Sequence, residues 1–265
     1  NLEIFDRNAR IIREVIKKNR IDVLIAIGGD DTLGAARRLT EAGVLRANGA
    51  PKTIDNDIKG TQCSFGHRTA VEAGVPFAEG MKIEAELYDR VSILQTMGRN
   101  AGWIALEVGD RADADATLIP EVQVRKYEVL KRIEDTMRNK GHALVVVSEG
   151  FKIGGKVVPL NSDIDPFGNH KLGGVRFRLE HWLRDAGIPS VSMAPDYAFR
   201  FGPPSEADAD FAHMLGLHAM ESALKGETGV ASVLRDGRIT TVPLSEISGG
   251  RSVPEELYDR KTLQK

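Results

Sequence analysis

The chain has 265 residues, 42% of them hydrophobic and only 11 of them proline, enough to bury a substantial core in one large or two modest domains. With 36 basic against 38 acidic side chains the formal net charge is -2 and the pI near 6.4, which leaves no electrostatic footprint for nucleic acid or an anionic membrane, so any anion site must be local. No apolar run approaches the roughly 20 residues of a membrane span, no secretory leader is read, and a single cysteine, Cys63, excludes an intrachain disulfide framework and fits a reducing cytoplasm.

In chain order, a helical pattern from Leu2 to Lys18 (Leu2, Phe5, Ala9, Ile12, Ile16) feeds an apolar run rich in Val and Ile from Ile21 to Ile27. That run predicts a central parallel strand buried on both faces. It ends on Gly28 and Gly29, and after Asp30 and Asp31 the pattern turns helical from Thr32 until Gly43 supplies a stop. A strand passing through two glycines into a helix N-terminus leaves free backbone N–H groups and a positive dipole end facing one spot, which suits a phosphate. Two carboxylates there would repel a bare phosphate, and they make sense if at least one holds a divalent cation that bridges to it.

A second cluster, Pro51 Lys52 Thr53 Ile54 Asp55 Asn56 Asp57, follows. Strand alternation would send Thr53, Asp55 and Asp57 to one face, although a loop at a strand end need not keep it. The plainer account of each residue is an Asx-rich turn carrying surface charge; a cation, a hydroxyl and two acids within six residues is dense for that.

Cys63 reads as a small half-buried residue, since the histidine near it is His67 and no further partner stands by. A long helix from His67 to Leu87 is expected to kink or break at Pro76. Val91 to Thr96 is a buried strand, and Met97 Gly98 Arg99 sits where it ends, the place at which open α/β sheets collect ligands. Gly98 allows close backbone approach and Arg99 brings a permanent, fork-shaped cation, although a strand-end arginine can serve solubility alone.

A strand at 116–119, a helix from Val124 to Asn139 and a strand from Ala143 to Ser148 continue the alternation, and Glu149 Gly150 closes the last strand with another acid. From Phe151 to Asn169 the composition shifts to Gly, Pro, Lys and Asn, with KIGGKVV as a two-stranded turn. A helix from Gly173 to Asp185, a strand from Ser190 to Met193, an aromatic loop Tyr197–Phe201, a helix from Glu206 to Lys225 and a hairpin through Asp236 Gly237 complete the pattern. Beyond Ser248 the tail is expected to form a short helix or an irregular arm. The six histidines lack ligand spacing; His213 and His218, five apart on one helix, point to different faces. Strand, helix, strand repeated this often predicts an α/β protein with doubly wound, mostly parallel sheets. We expect two αβ lobes, 1–120 and 121–245, with the active site in the cleft between them and a C-terminal arm at 246–265.

The segments GGDDT, PKTIDNDI, MGRNAGWIAL (Met97–Leu106), SEG (Ser148–Gly150), KLGGV (Lys171–Val175) and a C-terminal ELYDR together resemble the 6-phosphofructokinases. A lone GGD would not separate that family from lipid or NAD kinases, which share the glycine-acid turn; the combination does. The family's first strand and its glycine-rich turn, which contribute to the phosphate cradle, have no counterpart before Leu2.

Phosphoryl transfer needs a metal between acids and phosphate, a base for the accepting hydroxyl, cations for transition-state charge, and positioning. Asp30 and Asp57 are read as the metal-side acids for Mg²⁺, Asp55 as the base toward a sugar 1-hydroxyl with Thr53 beside it, and Arg99 as the cation on the moving group; the resemblance implies the same roles. It further implies that Met97, Gly98 and Glu149 line the sugar and that Tyr197 and Arg200 bind its terminal phosphate. Phe199 and Phe201 are unusual neighbours for that pair, and a purely structural aromatic loop is the competing account. Arg90 matches an arginine that reaches the sugar phosphate of a neighbouring subunit, which implies a homo-oligomer, dimer or tetramer, with shared sites. A second arginine of that kind is expected before Tyr197, where Pro189 Ser190 Val191 stand instead, so sedoheptulose 7-phosphate stays open beside fructose 6-phosphate.

Gly28, Gly29 and Thr32 belong to the donor cradle. ATP-using members mostly carry glycine in place of Asp31 and of Lys52. A carboxylate at Asp31 opposes the α-phosphate of a nucleotide, while Lys52 can hold compact pyrophosphate. The resemblance is therefore to the pyrophosphate-dependent branch, a cytoplasmic Mg²⁺-dependent glycolytic and gluconeogenic transferase, near-reversible, converting fructose 6-phosphate to fructose 1,6-bisphosphate. Open alternatives are an ATP-dependent enzyme of the same fold, a kinase of the NAD or lipid type, and a non-catalytic phosphosugar-binding or regulatory subunit.

Overall fold

The computed structural model describes residues 2–164, 170–247 and 249–258; Asp259 and Arg260 of the ELYDR segment and the end of the 246–265 arm lie outside them. The elements run α1 (Leu2–Asn19), β1 (Leu24–Gly28), α2 (Asp30–Glu41), β2 (Ala47–Thr53), β3 (Phe65–Gly66), α3 (His67–Leu87), β4 (Val91–Thr96), α4 (Trp103–Arg111) and β5 (Ala116–Leu118). They continue α5 (Lys126–Lys140), β6 (Ala143–Ser148), β7 (Lys152–Ile153), β8 (Lys156–Val157), β9 (Pro159–Ile164), β10 (His170–Leu172), α6 (Val175–Asp185) and β11 (Ser190–Met193). Then come α7 (Glu206–Leu224), β12 (Val230–Arg235), β13 (Arg238–Pro243) and α8 (Glu255–Tyr258).

These divide into two compact units, Asn1–Gly66 with Glu206–Arg251, and His67–Ser205 with Ser252–Lys265. The expected boundary at 120 is corrected: residues 67–120 join the second unit because α3 and α4 pack on β4 and β6, and the last third of the expected second lobe returns to the first.

In the first unit β1 and β2 pair in parallel, β12 adds in parallel beside β2 at Ala231 and Gly49, and β13 turns back antiparallel through Asp236 and Gly237. Both turn residues have positive φ (51° and 72°), as the tight hairpin requires. Leu33, Ala36, Ala47, Ile58, Val233, Val242 and Leu244 form its core, and Phe211 and Leu215 of α7 pack on Ala50 with half-buried Cys63 beside them. Among the described residues β1, expected to be central and covered on both faces, ends the strand order; Leu24 and Ile27 are 43% and 54% exposed, and Ile11, Val15, Leu24 and Leu45 line an apolar cavity of about 560 Å³.

The second unit is built on the all-parallel sheet β11-β4-β6-β5. Every residue of β4 and β6 is buried, as continuous apolar runs require of strands covered on both faces, and Val129, Ile133, Leu179, Trp182 and Leu183 of α5 and α6 complete the core. Of the kink or break expected at Pro76, the break does not occur: helix α3 continues through it. Proline removes one hydrogen bond there, and the buried face Val71, Gly74, Ala78 and Met81 holds the remaining turns. The Gly154–Gly155 turn joins β7 to β8 as KIGGKVV predicted. Both sheets being mainly parallel, the fold is α/β as expected.

Candidate functional site

The site residues lie at the carboxyl ends of parallel strands in each unit. In the first unit the β1–β2 register sets Gly28 beside Pro51, so the two acidic turns leave adjacent strands at the same end. Helix α2 begins at Asp30, two residues earlier than the periodicity predicted, with Gly29 as its N-cap and Asp30 and Asp31 in its first turn. Free N–H groups and the helix dipole are thus aimed at the space beyond β1. A Cβ on Gly28 would meet the Thr32 side chain at 2.6 Å, so only glycine lets the helix start this close to the strand. Gly29 in turn lies beside the Lys52 carbonyl, 3.9 Å from where its Cβ would be, and the Lys52 side chain is exposed.

Strand β2 ends at Thr53 and the alternation stops there, since Asn56 turns left-handed at φ 53°. The Asp55 N–H donates to Thr53 Oγ1 (3.2 Å), and the Ser64 N–H donates to Asn56 Oδ1 (3.1 Å) while Ser64 Oγ donates to the Thr53 carbonyl (2.9 Å). Asp55 and Asp57 are therefore held on a tied loop rather than on a flexible turn. Asp57 has its carboxyl pushed above the usual carboxylate range, first by burial and further by the negative charge of Asp30, with a backbone hydrogen bond acting the other way. The two acids expected to face one cation are close enough to feel each other.

Sequence reading missed a third segment here. The Gly249 N–H donates to Asp30 Oδ1 (2.8 Å), and Arg251 donates from its backbone N–H to the Asp57 carbonyl and from Nη1 to the Asn56 carbonyl, both at 2.7 Å. Its only trace in the sequence was a Gly-Gly-Arg run in a stretch read as an irregular arm.

In the second unit β4 and β6 are in register to Thr96 and Ser148. Ser148 Oγ donates to the Gly98 carbonyl (2.6 Å), the Gly150 N–H to the same oxygen (3.2 Å) and the Glu149 N–H to that of Thr96 (2.9 Å), which fixes the Met97–Arg99 turn against Glu149. Gly98 is at φ 126°, a conformation that side chains rarely adopt. Arg200 Nε meets Met97 Sδ at 3.3 Å, which brings the aromatic loop to the same strand ends. In that loop Tyr197 is 70% exposed, whereas Phe199 is buried against Gly74, so the unusual phenylalanine is a structural anchor beneath an exposed Tyr–Arg pair. Arg90 forms an ion pair with Glu84 and lies over the Tyr88 ring at 4.9 Å. His67, buried, meets Glu107 at 2.9 Å, and His218 meets Ser232 Oγ at 2.9 Å, which accounts for two of the six histidines as satisfied interior residues.

Among the described residues no group of three or more His, Cys, Asp or Glu gathers around a common point. Two carboxylates, one of them raised by burial beside the other, fit a Mg²⁺ that takes its remaining ligands from water and a substrate phosphate. No helix among the described residues is long and apolar enough to cross a membrane.

Strand-end acids beside a helix N-terminus in one unit, and a glycine-arginine turn with further arginines in the other, define an α/β phosphoryl-transfer protein. The phosphofructokinase family profile matches residues 3–223, and the chain belongs to that family. It is 37% identical over 245 residues to pyrophosphate–fructose 6-phosphate 1-phosphotransferase of Thermoproteus tenax, covering 92% of this chain and 71% of that one. It is equally 37% identical over 250 residues to ATP-dependent 6-phosphofructokinase 2 of Streptomyces coelicolor, covering 93% and 73%. Its fold is that of the pyrophosphate-dependent phosphofructokinase of Nitrosospira multiformis, with a TM-score of 0.80 at 23% identity over 94% of this chain and 66% of that one.

Proposed function

We propose that this phosphofructokinase transfers a phosphoryl group from pyrophosphate to the 1-hydroxyl of fructose 6-phosphate, reversibly and with Mg²⁺, as a homo-oligomer with shared sites. The observation that carries the donor assignment is Asp31 in the first turn of α2 with Lys52 exposed on the neighbouring strand end. A carboxylate at a helix N-terminus takes up the positive end that a nucleotide α-phosphate would use, and Lys52 supplies a point charge sized for a diphosphate terminus.

In this reading the first unit holds the donor. The α2 N–H groups and Thr32 cradle its phosphates, and Asp30 and Asp57 hold Mg²⁺, which when bound neutralises charge on the diphosphate. Asp55, anchored beside Thr53, takes the proton from the sugar hydroxyl as it attacks. The second unit holds the acceptor. Met97, Gly98 and Glu149 fix the sugar, Arg99 offsets charge on the moving phosphoryl group, and Tyr197 with Arg200 binds the 6-phosphate, to which a neighbouring subunit adds Arg90. Positioning and charge stabilisation of this kind supply most of what phosphoryl transfer needs.

An ATP-dependent enzyme is the second reading, favoured by the equal likeness to the Streptomyces coelicolor relative. Assaying the chain with fructose 6-phosphate and Mg²⁺ against pyrophosphate and ATP separates the two. Turnover with pyrophosphate and little with ATP is expected, and Asp31→Gly together with Lys52→Gly should move the preference toward ATP. Equal rates with both donors, or full pyrophosphate activity in the double variant, would remove the donor assignment.

A further inference from the structure

Residues Gly249 to Arg251 touch both acidic turns. Gly249 bridges antiparallel to Ile58, directly after the second turn, while its N–H holds the Asp30 carboxylate of the first. Two residues on, Arg251 donates to the consecutive carbonyls of Asn56 and Asp57. Asn56 sits at positive φ, a conformation that must be held by its surroundings. Gly249 is also fitted to its place: a Cβ there would lie 3.2 Å from Asp30 Oδ2 and 3.5 Å from its Cγ, so any side chain pushes the carboxylate.

We infer that Gly249–Arg251 is a positioning strap that sets the Asp30 carboxylate against the Asp55–Asp57 loop before cation and diphosphate arrive. The inference rests on reading Asp30 and Asp57 as the metal-side acids. Asp30 and Asp57 repel each other and would relax apart if each turn were held only by its own strand. The strap ties one acid through its carboxylate and the other through the main chain, so both carboxylates keep lone pairs for a cation. Half-buried Arg251 adds a fixed positive charge beside this acidic loop, offsetting the repulsion without taking the place of a mobile ion. Neither residue touches substrate in this account; both act through the acids they hold.

The test compares the whole chain with Arg251→Ala, Arg251→Lys and Gly249→Ala, reading Mn²⁺ and Mg²⁺ affinity in the presence of pyrophosphate by calorimetry, and separately kcat and the sugar KM. Loss of a group that orients metal ligands costs about 10–100-fold in metal affinity or activity, so Arg251→Ala should lose that much in cation affinity and in kcat while the KM for fructose 6-phosphate stays within about threefold. Arg251→Lys, which keeps a donor and a charge, should recover part of the loss. Gly249→Ala keeps the N–H and shifts only the carboxylate, and should lose less in the same two readouts. Should Arg251→Ala fail to fold, Gly249→Ala and Arg251→Lys decide the matter. Unchanged cation affinity in Gly249→Ala, or a raised sugar KM with kcat and cation affinity intact, overturns the strap. The calorimetry needs no turnover, so a chain that binds Mn²⁺ with pyrophosphate but phosphorylates no sugar refutes the proposed function and leaves the strap to be judged on affinity alone.

Discussion

The surroundings of Asp57 oppose its charge, and that sets a sign for its effect on stability. Because its pKa in the folded chain is raised, the native state holds the proton more tightly than the unfolded one, and stability falls as pH rises from the ordinary carboxylate range through the raised value. Above the ordinary carboxylate range, with the metal chelated, ionising this side chain is opposed by its surroundings and is a net cost. Asp57→Asn should then melt at a higher temperature than the parent at pH 7, with the gap narrowing as pH is lowered toward about 4. Added Mg²⁺ with pyrophosphate should stabilise the parent and not the variant. Thermal melts with and without chelator check this, and a variant that melts below the parent in chelator at pH 7 would count against it. Asp55 carries a different expectation. As the base, it contributes in the transition state, so Asp55→Ser should lower kcat by about 10²–10⁴ with a small change in sugar KM. Steady-state kinetics in the forward direction reads both, and an unchanged kcat removes it from that role.

At the scale of elements, glycines at strand ends decide how closely turns approach. A Cβ on Gly150 would press on the Arg99 carbonyl oxygen and sit 2.8 Å from that of Gly98, both backbone atoms that cannot swing aside. Gly150→Ala should therefore displace the Met97–Arg99 turn, destabilise the chain by roughly 1–3 kcal/mol as an overpacked site, and raise the sugar KM while leaving pyrophosphate binding intact. Denaturant melts and donor calorimetry would show it, and loss of pyrophosphate affinity instead would assign the turn to the donor. The same scale shows what the sequence could and could not convey. SILQT and ALVVVS read as buried strands because apolar runs report burial on both faces, and they are buried. Ile21–Ile27 has the same composition, and among the described residues β1 ends the strand order, a position that periodicity cannot convey because it records the character of a strand and not which strand lies beside it. Pro76 argued for a kink or a break, and packing carries the helix through it without a break. The acidic turns were legible because glycine and aspartate at a strand end are uncommon together. Gly249 and Arg251 were not, because their work is done mainly by backbone hydrogen bonds to residues about 200 positions away, as between Asp30 and Gly249, and no local pattern encodes such a contact.

For the molecule as a whole, the chain passes between its two units at Gly66, Ser205 and Arg251, which is why boundaries drawn along the sequence failed. The proposed homo-oligomer adds a level that can be tested through Arg90. Within its own chain Arg90 is held by Glu84 and the Tyr88 ring, an arrangement that fixes the guanidinium before any partner is met. If a neighbouring subunit supplies Arg90 to each site, then Asp55→Ser and Arg90→Ala damage opposite contributors to it. In a mixed dimer, one site combines both defects and the other has neither. Each variant alone should be nearly inactive at limiting sugar phosphate. Equal amounts unfolded and refolded together should regain about a quarter of parental activity, half of the dimers being mixed and half of their sites whole. Sedimentation of the mixture confirms that the chains have assembled. If assembled mixtures show no more activity than the variants measured apart, Arg90 serves its own subunit's site or none, and the shared site is abandoned while the acid chemistry of the first unit stands.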